Sequence, residues 1–148
     1  MRTYSDLISL FQKKSAQIPQ FIGAKLSDHG LGGLSPSHGE ILYYLLREGD
    51  IKMSVLAKRI HKDKSTVTAL VGKLMQQGYV VREKCPNDQR AVLVKLTDKG
   101  TALQTVFQAI SKELMAQFYA PFSKKELYTM HELVSKINVD TVVSVDLE

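Results

Sequence analysis

Ser65, Thr66 and Thr68 place three hydroxyl side chains within four residues, with Lys64 on one side and Lys73 on the other. Farther along, Asn87, Asp88, Gln89 and Arg90 follow one another directly, just after Lys84, Cys85 and Pro86. Short hydroxyls make close-range hydrogen bonds, and ammonium and guanidinium groups neutralise phosphates. The chemistry of such a set is recognition of a polyanion that also carries hydrogen-bonding edges. Lys58, Arg59 and Lys62 extend the same stretch. Residues 51–100 hold eleven basic and four acidic side chains, a net charge of +7, while the rest of the chain has nine and eleven, or −2. A basic segment on a near-neutral body points to a polyanion-binding patch. A solvated basic face has the same composition, so the choice rests on the elements that carry these residues.

Catalytic and metal chemistry find no support. There is no glycine-rich phosphate loop, nucleophile-elbow motif or zinc motif. His29, His38, His61 and His131 do not form a ligand set, and His38 and Glu40 stand two apart, on different faces of a helix. The expectation is a protein that is not an enzyme, with no cofactor and no metal. The single cysteine excludes an intramolecular disulfide and fits a reducing compartment. Cys85 near Lys84 has two readings, a redox-active thiol activated by a cation or a passive one. No apolar run is long enough to span a bilayer, so the expected location is cytoplasmic.

Residues 4 to about 27 carry Leu7, Leu10, Phe11, Ile18, Phe21, Ile22 and Leu26 at helical spacing, with a bend expected at Pro19. A Gly/Pro-rich loop follows. Ser35 is placed to N-cap a helix opened by Pro36 and closed by Gly49. Ser54 is the expected cap of a short helix, Val55–Ile60. After the polar stretch 61–66, Val67, Leu70, Val71 and Leu74 form a buried stripe on a longer helix that stops at Gly78. That rotation leaves Lys64, Ser65, Thr68, Ala69 and Lys73 facing away from the core. Gly72, inside this helix, is read either as a point of close approach or as chance. Two strands, Tyr79–Lys84 and Ala91–Leu96, are joined by the loop 85–90, with Arg82, Lys84 and Lys95 adding charge. Thr97 is placed to cap a helix running to about Tyr119, and Pro121 and Ser123 open a last one.

Short helix, turn, longer helix and basic hairpin is the order of a winged helix-turn-helix. The expected fold is mainly α with a small β-hairpin wing, the reader lobe spanning residues 35–97. Residues 1–34 and 98–148 would form a helical dimerisation region. The apolar stripes of its three helices exceed what so small a lobe can cover, and a second copy of the chain would cover them. An intramolecular bundle is the alternative.

Leu56-Ala57, Thr66-Val67-Thr68-x-Leu70-Val71-x-Lys73-Leu74, Gly78-Tyr79-Val80-x-Arg82, Asp88-x-Arg90 and Val94-x-Leu96-Thr97-x-x-Gly100 together resemble the MarR (multiple antibiotic resistance regulator) family. The resemblance covers nearly the whole chain. It implies a homodimer on a pseudo-palindromic operator, usually a repressor, released by a small ligand or by oxidation. It places the helix Lys64–Gln76 in the major groove and Arg90 in the minor groove, with Asp88 bracing the arginine. Where the family often has a charged pair, this chain has Gly72-Lys73, so only Lys73 is left for a phosphate. The peroxide-sensing branch carries its cysteine in the first helix, where this chain has none.

The candidate DNA-binding residues are therefore Ser35, Ser37, Lys58, Arg59, Lys62, Lys64, Ser65, Thr66, Thr68, Ala69, Lys73, Lys84, Asn87, Asp88, Gln89 and Arg90. For Ser35 and Ser37, helix capping competes with phosphate binding. For Ser65 and Thr66, satisfying the first turn beside an Asp63 N-cap competes with base contact. Tyr43 and Tyr44 either line an effector cavity or pack in the core. The expected partners are double-stranded DNA, a second copy of the chain and a small aromatic or anionic effector, with no membrane. The rival function is a winged-helix protein-interaction module without sequence-specific DNA binding.

Overall fold

The computed structural model describes residues 4–139. It contains helices α1 (Tyr4–Asp28), α2 (Pro36–Glu48), α3 (Met53–Arg59), α4 (Lys64–Gln76), α5 (Asp98–Thr101), α6 (Gln104–Tyr119) and α7 (Lys124–Ser135), with strands β1 (Ile51–Lys52), β2 (Val80–Cys85) and β3 (Asp88–Leu96). The fold is mainly helical with one small antiparallel sheet. Two compact units divide after Leu114, inside α6.

Helix ends in the first unit are set by local chemistry. Ser35 caps α2 through His38, with Pro36 in the first turn, and Gly49 ends the helix at φ 87°. At the end of α4, the Tyr79 N–H donates to Leu74 O and the Gly78 N–H to Met75 O, a Schellman closure with Gly78 at φ 81°. The same closure ends α3: His61 takes the left-handed position at φ 53°, and the Lys62 N–H donates to Ala57 O. That closure is the turn of the helix-turn-helix. Behind it, Val67, Val71 and Leu74 of α4 pack with Leu42 and Leu45 of α2 and Leu56 of α3, all essentially without solvent exposure. Gly39 brings α1 and α6 close to α2, since a Cβ there would lie 3.2 Å from Leu26 Cδ1 and 4.0 Å from Phe107 Cε1.

Several expectations need correction. The sheet has three strands in the order β1-β3-β2, because Ile51 pairs with Val94 and Lys52 with Leu93. This pairing draws the chain into a strand up to Lys52, so α3 starts at Met53 and Ser54 lies inside it rather than capping it. The loop 85–90 contracts to a turn at Pro86-Asn87, with Cys85 opposite Asp88. The register then shifts, because Lys84 faces Val92, and Gln89, Arg90 and Ala91 bulge from β3. The helix expected from Thr97 to Tyr119 is interrupted at Ala102-Leu103. Gly72 is not a close approach, since a Cβ there would meet nothing within 4 Å.

Thr97 and Gly100 join the wing to the helices that follow. The Thr97 Oγ1 accepts from the Gly100 N–H at 3.1 Å and donates to Gly78 O at 2.5 Å, while the Thr97 N–H donates to Tyr79 O at 3.0 Å. Lys99 Nζ donates to Gln77 O at 2.7 Å and sits 4.7 Å from the Tyr79 ring centroid. The end of α4, the base of the wing and α5 are thus tied by one set of bonds.

In the second unit, Ser123 and Glu126 form a reciprocal capping box at the start of α7. Phe118 packs edge-on against Tyr119 and tilted against Phe122. No residue of α7 is buried, and Tyr128, Leu133 and Ile137 are 76, 57 and 55% exposed. In the first unit, Leu7 and Ile8 at the start of α1 are each 64% exposed, with Leu10 and Phe11 open beside them. No described helix is long and apolar enough to cross a membrane.

Candidate nucleic-acid interface

The outward face of α4 begins with its cap. Asp63 is the N-cap, and its Oδ1 accepts from the Thr66 N–H at 2.7 Å and from the Ser65 Oγ at 3.0 Å. Bonds from Thr66 and Ser65 hold the Asp63 carboxyl below the usual carboxylate range, so it is ionised at neutral pH. One turn on, the Thr68 Oγ1 donates to Lys64 O at 2.8 Å. Lys64, Ser65, Thr66, Thr68, Ala69 and Lys73 are all exposed on a helix whose other face is buried. The first-turn alternative for Ser65 and Thr66 is therefore occupied, yet both remain accessible from outside.

At the wing, Lys84, Asn87, Asp88, Gln89 and Arg90 are exposed and Cys85 is buried. Asp88 does brace Arg90, but through the backbone: its Oδ1 accepts from the Arg90 N–H at 3.0 Å. The guanidinium has no ion-pair partner among the described residues, because the carboxylate already closes the local turn. A buried, passive thiol is the reading of Cys85 that its surroundings favour.

The remaining basic residues divide into free and engaged. Lys58 and Lys62 are exposed around the turn between α3 and α4. Arg59 instead forms an ion pair with Glu48 and lies 5.5 Å from the Tyr44 ring centroid, clamping α3 to α2. Lys95 is held by Glu83 at 3.1 Å and Asp50 at 3.6 Å, so it adds little to the outward field of the wing. Tyr43 and Tyr44 are half-buried, edge-to-face at 5.5 Å, and both pack on the core. No group of His, Cys, Asp and Glu among the described residues could hold a metal.

Ser35 is the N-cap of α2, and Ser37 lies half-buried in its first turn. His38, which is buried, was missed as part of this cap, although Ser-x-x-His has the spacing of a capping box. Its Nδ1 accepts from the Ser35 N–H at 3.0 Å and lies 2.7 Å from the Ser35 Oγ. Burial pushes its pKa below the ordinary 6.5, and the charge of Lys73 pushes the same way. A base whose folded pKa is depressed contributes stability that is fully present above its unfolded value and is lost as pH falls through the folded one. Melting temperature is therefore expected to drop as pH falls below 6.5. His38→Gln, which keeps a capping-box acceptor, should flatten that slope in a pH series of thermal melts.

Residues 32–91 match the sequence profile of the MarR family. The regulator SarZ of Staphylococcus aureus is 33% identical over 115 residues, covering 76% of this chain and 74% of that protein. The transcriptional repressor MdtR of Bacillus subtilis is 26% identical over 105 residues, covering 71% and 68%. Among solved structures, reduced AbfR bound to DNA superposes with a TM-score of 0.71 at 26% identity, covering 88% of this chain and 89% of that one. A polar, basic outer face on α4 with an arginine-tipped wing beside it, on a chain with these relatives, places the protein. It belongs to the MarR family of winged helix-turn-helix transcriptional regulators, and it is a regulator and not an enzyme.

Proposed function

We propose that the protein is a repressor that binds a pseudo-palindromic operator as a homodimer, with α4 in the major groove and the wing in the minor groove. The observation that carries this reading is the Arg90 guanidinium, without an ion-pair partner among the described residues, at the tip of a bulged strand, on a chain whose α4 has an exposed face that is entirely polar, basic or small. Arginine also serves protein interfaces, but the net charge of +7 on residues 51–100 favours a polyanion, and a narrow, electronegative minor groove suits such an arginine. The repressor sense is supported by the likeness to MdtR, and the DNA partner by the likeness to AbfR in its DNA complex.

Lys58, Lys62, Lys64, Lys73 and Lys84 serve as phosphate contacts in this reading, with Ser65, Thr66, Thr68 and Ala69 toward base edges and Asn87 and Gln89 toward the backbone. Ser35 and Ser37 keep a phosphate at the α2 N-terminus within reach, while Arg59 acts as a structural clamp. The domain assignment is residues 35–97 as reader, with 1–34 and 98–148 as dimerisation region. The exposed apolar faces of α1 and of the second unit support pairing through residues 4–27 and 101–139. Sedimentation equilibrium at low micromolar concentration is expected to show a dimer, and a stable folded monomer would refute this pairing. A small aromatic or anionic effector relieves repression, and the protein works in the cytoplasm.

The test of function is selection from a random duplex pool, with enrichment of a two-fold sequence as the expected result. On the selected duplex, Lys58→Ala and Lys73→Ala should each weaken all sequences alike and reduce the salt slope by about one. An unchanged slope would remove both residues from the interface.

A further inference from the structure

Two hydroxyls on the outward face of α4, those of Ser65 and Thr68, have their only proton directed inward. The Ser65 Oγ donates to Asp63 Oδ1 at 3.0 Å, and the Thr68 Oγ1 donates to Lys64 O at 2.8 Å. Thr66 reaches the same carboxylate through its backbone N–H, at 2.7 Å. A hydroxyl has one O–H and two lone pairs, so each of these oxygens is left as an acceptor toward anything docked outside. The Ser65 bond is charge-assisted, and the Thr68 bond satisfies a carbonyl within the helix, so neither is released without loss. From Ser65 to Gly72 the chain offers no side-chain donor beyond its three hydroxyls, as the remaining residues are Val67, Ala69, Leu70 and Val71. Thr68 and Ala69, each with a methyl group, are exposed beside these oxygens, and Thr66 is exposed on the flank of the helix. Lysines stand only at its ends, at Lys64 and Lys73.

In the major groove, adenine and cytosine present an exocyclic amino donor, thymine a C5-methyl group, and guanine only acceptors. An acceptor-and-methyl surface matches the A·T pair, which supplies both an amino donor and a methyl. It repels the acceptor edge of guanine. We infer that the centre of α4 selects A·T pairs in each half-site, reading the adenine amino group with its hydroxyl oxygens and the thymine methyl with Thr68 and Ala69. This rests on the proposal that α4 enters the major groove, and it adds which base groups are read. The arrangement also explains the absence of arginine and asparagine from the middle of the face, where a bidentate donor would favour guanine or bind adenine in another way.

The experiment uses the full-length chain and the duplex selected from a random pool. Footprint-aligned half-sites are expected to hold A·T pairs where the middle of α4 lies. Replacing those thymines by deoxyuridine removes only the methyl group and should weaken binding about four-fold per methyl lost. Thr68→Val keeps a methyl but removes the acceptor, so it should lower affinity while remaining sensitive to deoxyuridine. Thr68→Ser keeps the acceptor and should lose part of the deoxyuridine effect, Ala69 retaining the rest, and thermal melts of both variants confirm that they are folded. A selected core with guanine facing Ser65 and Thr68, indifference to deoxyuridine, or undiminished binding by Thr68→Val would each overturn the inference while leaving sequence-specific binding intact. If the parent chain enriches no sequence at all, the proposed function fails, and the inference fails with it.

Discussion

Gly100→Ala is expected to destabilise the protein by about 3 kcal/mol or more, the largest stability effect of any glycine-to-alanine change in this chain. A Cβ on Gly100 would lie 2.2 Å from Tyr79 O and 2.9 Å from Leu96 Cδ2, and the first of these is backbone that cannot rotate away. Tyr79 O also accepts the Thr97 N–H, so relieving the clash pulls apart the joint between the wing base and α5. Gly72→Ala is the control. Its Cβ meets nothing within 4 Å, and replacing a helical glycine should raise stability by up to about 1 kcal/mol. Chemical denaturation of the two variants beside the parent checks both signs. A tolerated Gly100→Ala would mean that the joint is looser than described.

Arg90→Ala should have the largest effect on binding, costing about 1–3 kcal/mol of operator affinity, or roughly five-fold to more than a hundred-fold. The bulge of Gln89, Arg90 and Ala91 carries this side chain out of the regular ladder, and Asp88 fixes the backbone at its base. The guanidinium thus starts from an anchored position and loses less freedom on entering a groove. Stability should change little, because the residue is exposed and has no ion-pair partner among the described residues. Asp88→Asn keeps an acceptor for the Arg90 N–H and should bind nearly as the parent does. Asp88→Ala should bind more weakly, through a less ordered bulge. Operator affinity at fixed salt, measured beside thermal melts, separates these outcomes.

What could be read in the residues alone follows the range of the forces involved. Ser35 with Pro36, Gly49, Gly78, Thr97 and Ser123 act within one helical turn of where they stand, and each ends or begins an element as expected. The stripe of Val67, Val71 and Leu74 is likewise local, and it correctly turned Ser65, Thr68 and Ala69 outward. Misplaced features depended on partners distant in the chain. Ile51 becomes a strand only because Val94 lies beside it, and this in turn removed Ser54 from its cap. Arg59 and Lys95 look like free cations until the fold delivers Glu48, Asp50 and Glu83. The wing is tighter than its sequence suggests because the pairing of Cys85 with Asp88 moves the extra residues from the loop into β3.

The central claim is that two copies of this chain read one operator, each with α4 and the Arg90 wing. Hydroxyl-radical footprinting of the selected duplex tests it most directly. The account predicts a two-fold symmetric footprint with half-sites about one helical turn apart, flanked by minor-groove protection that Arg90→Ala removes. A single asymmetric half-site protected by one chain, or flanking protection unchanged in Arg90→Ala, would contradict it.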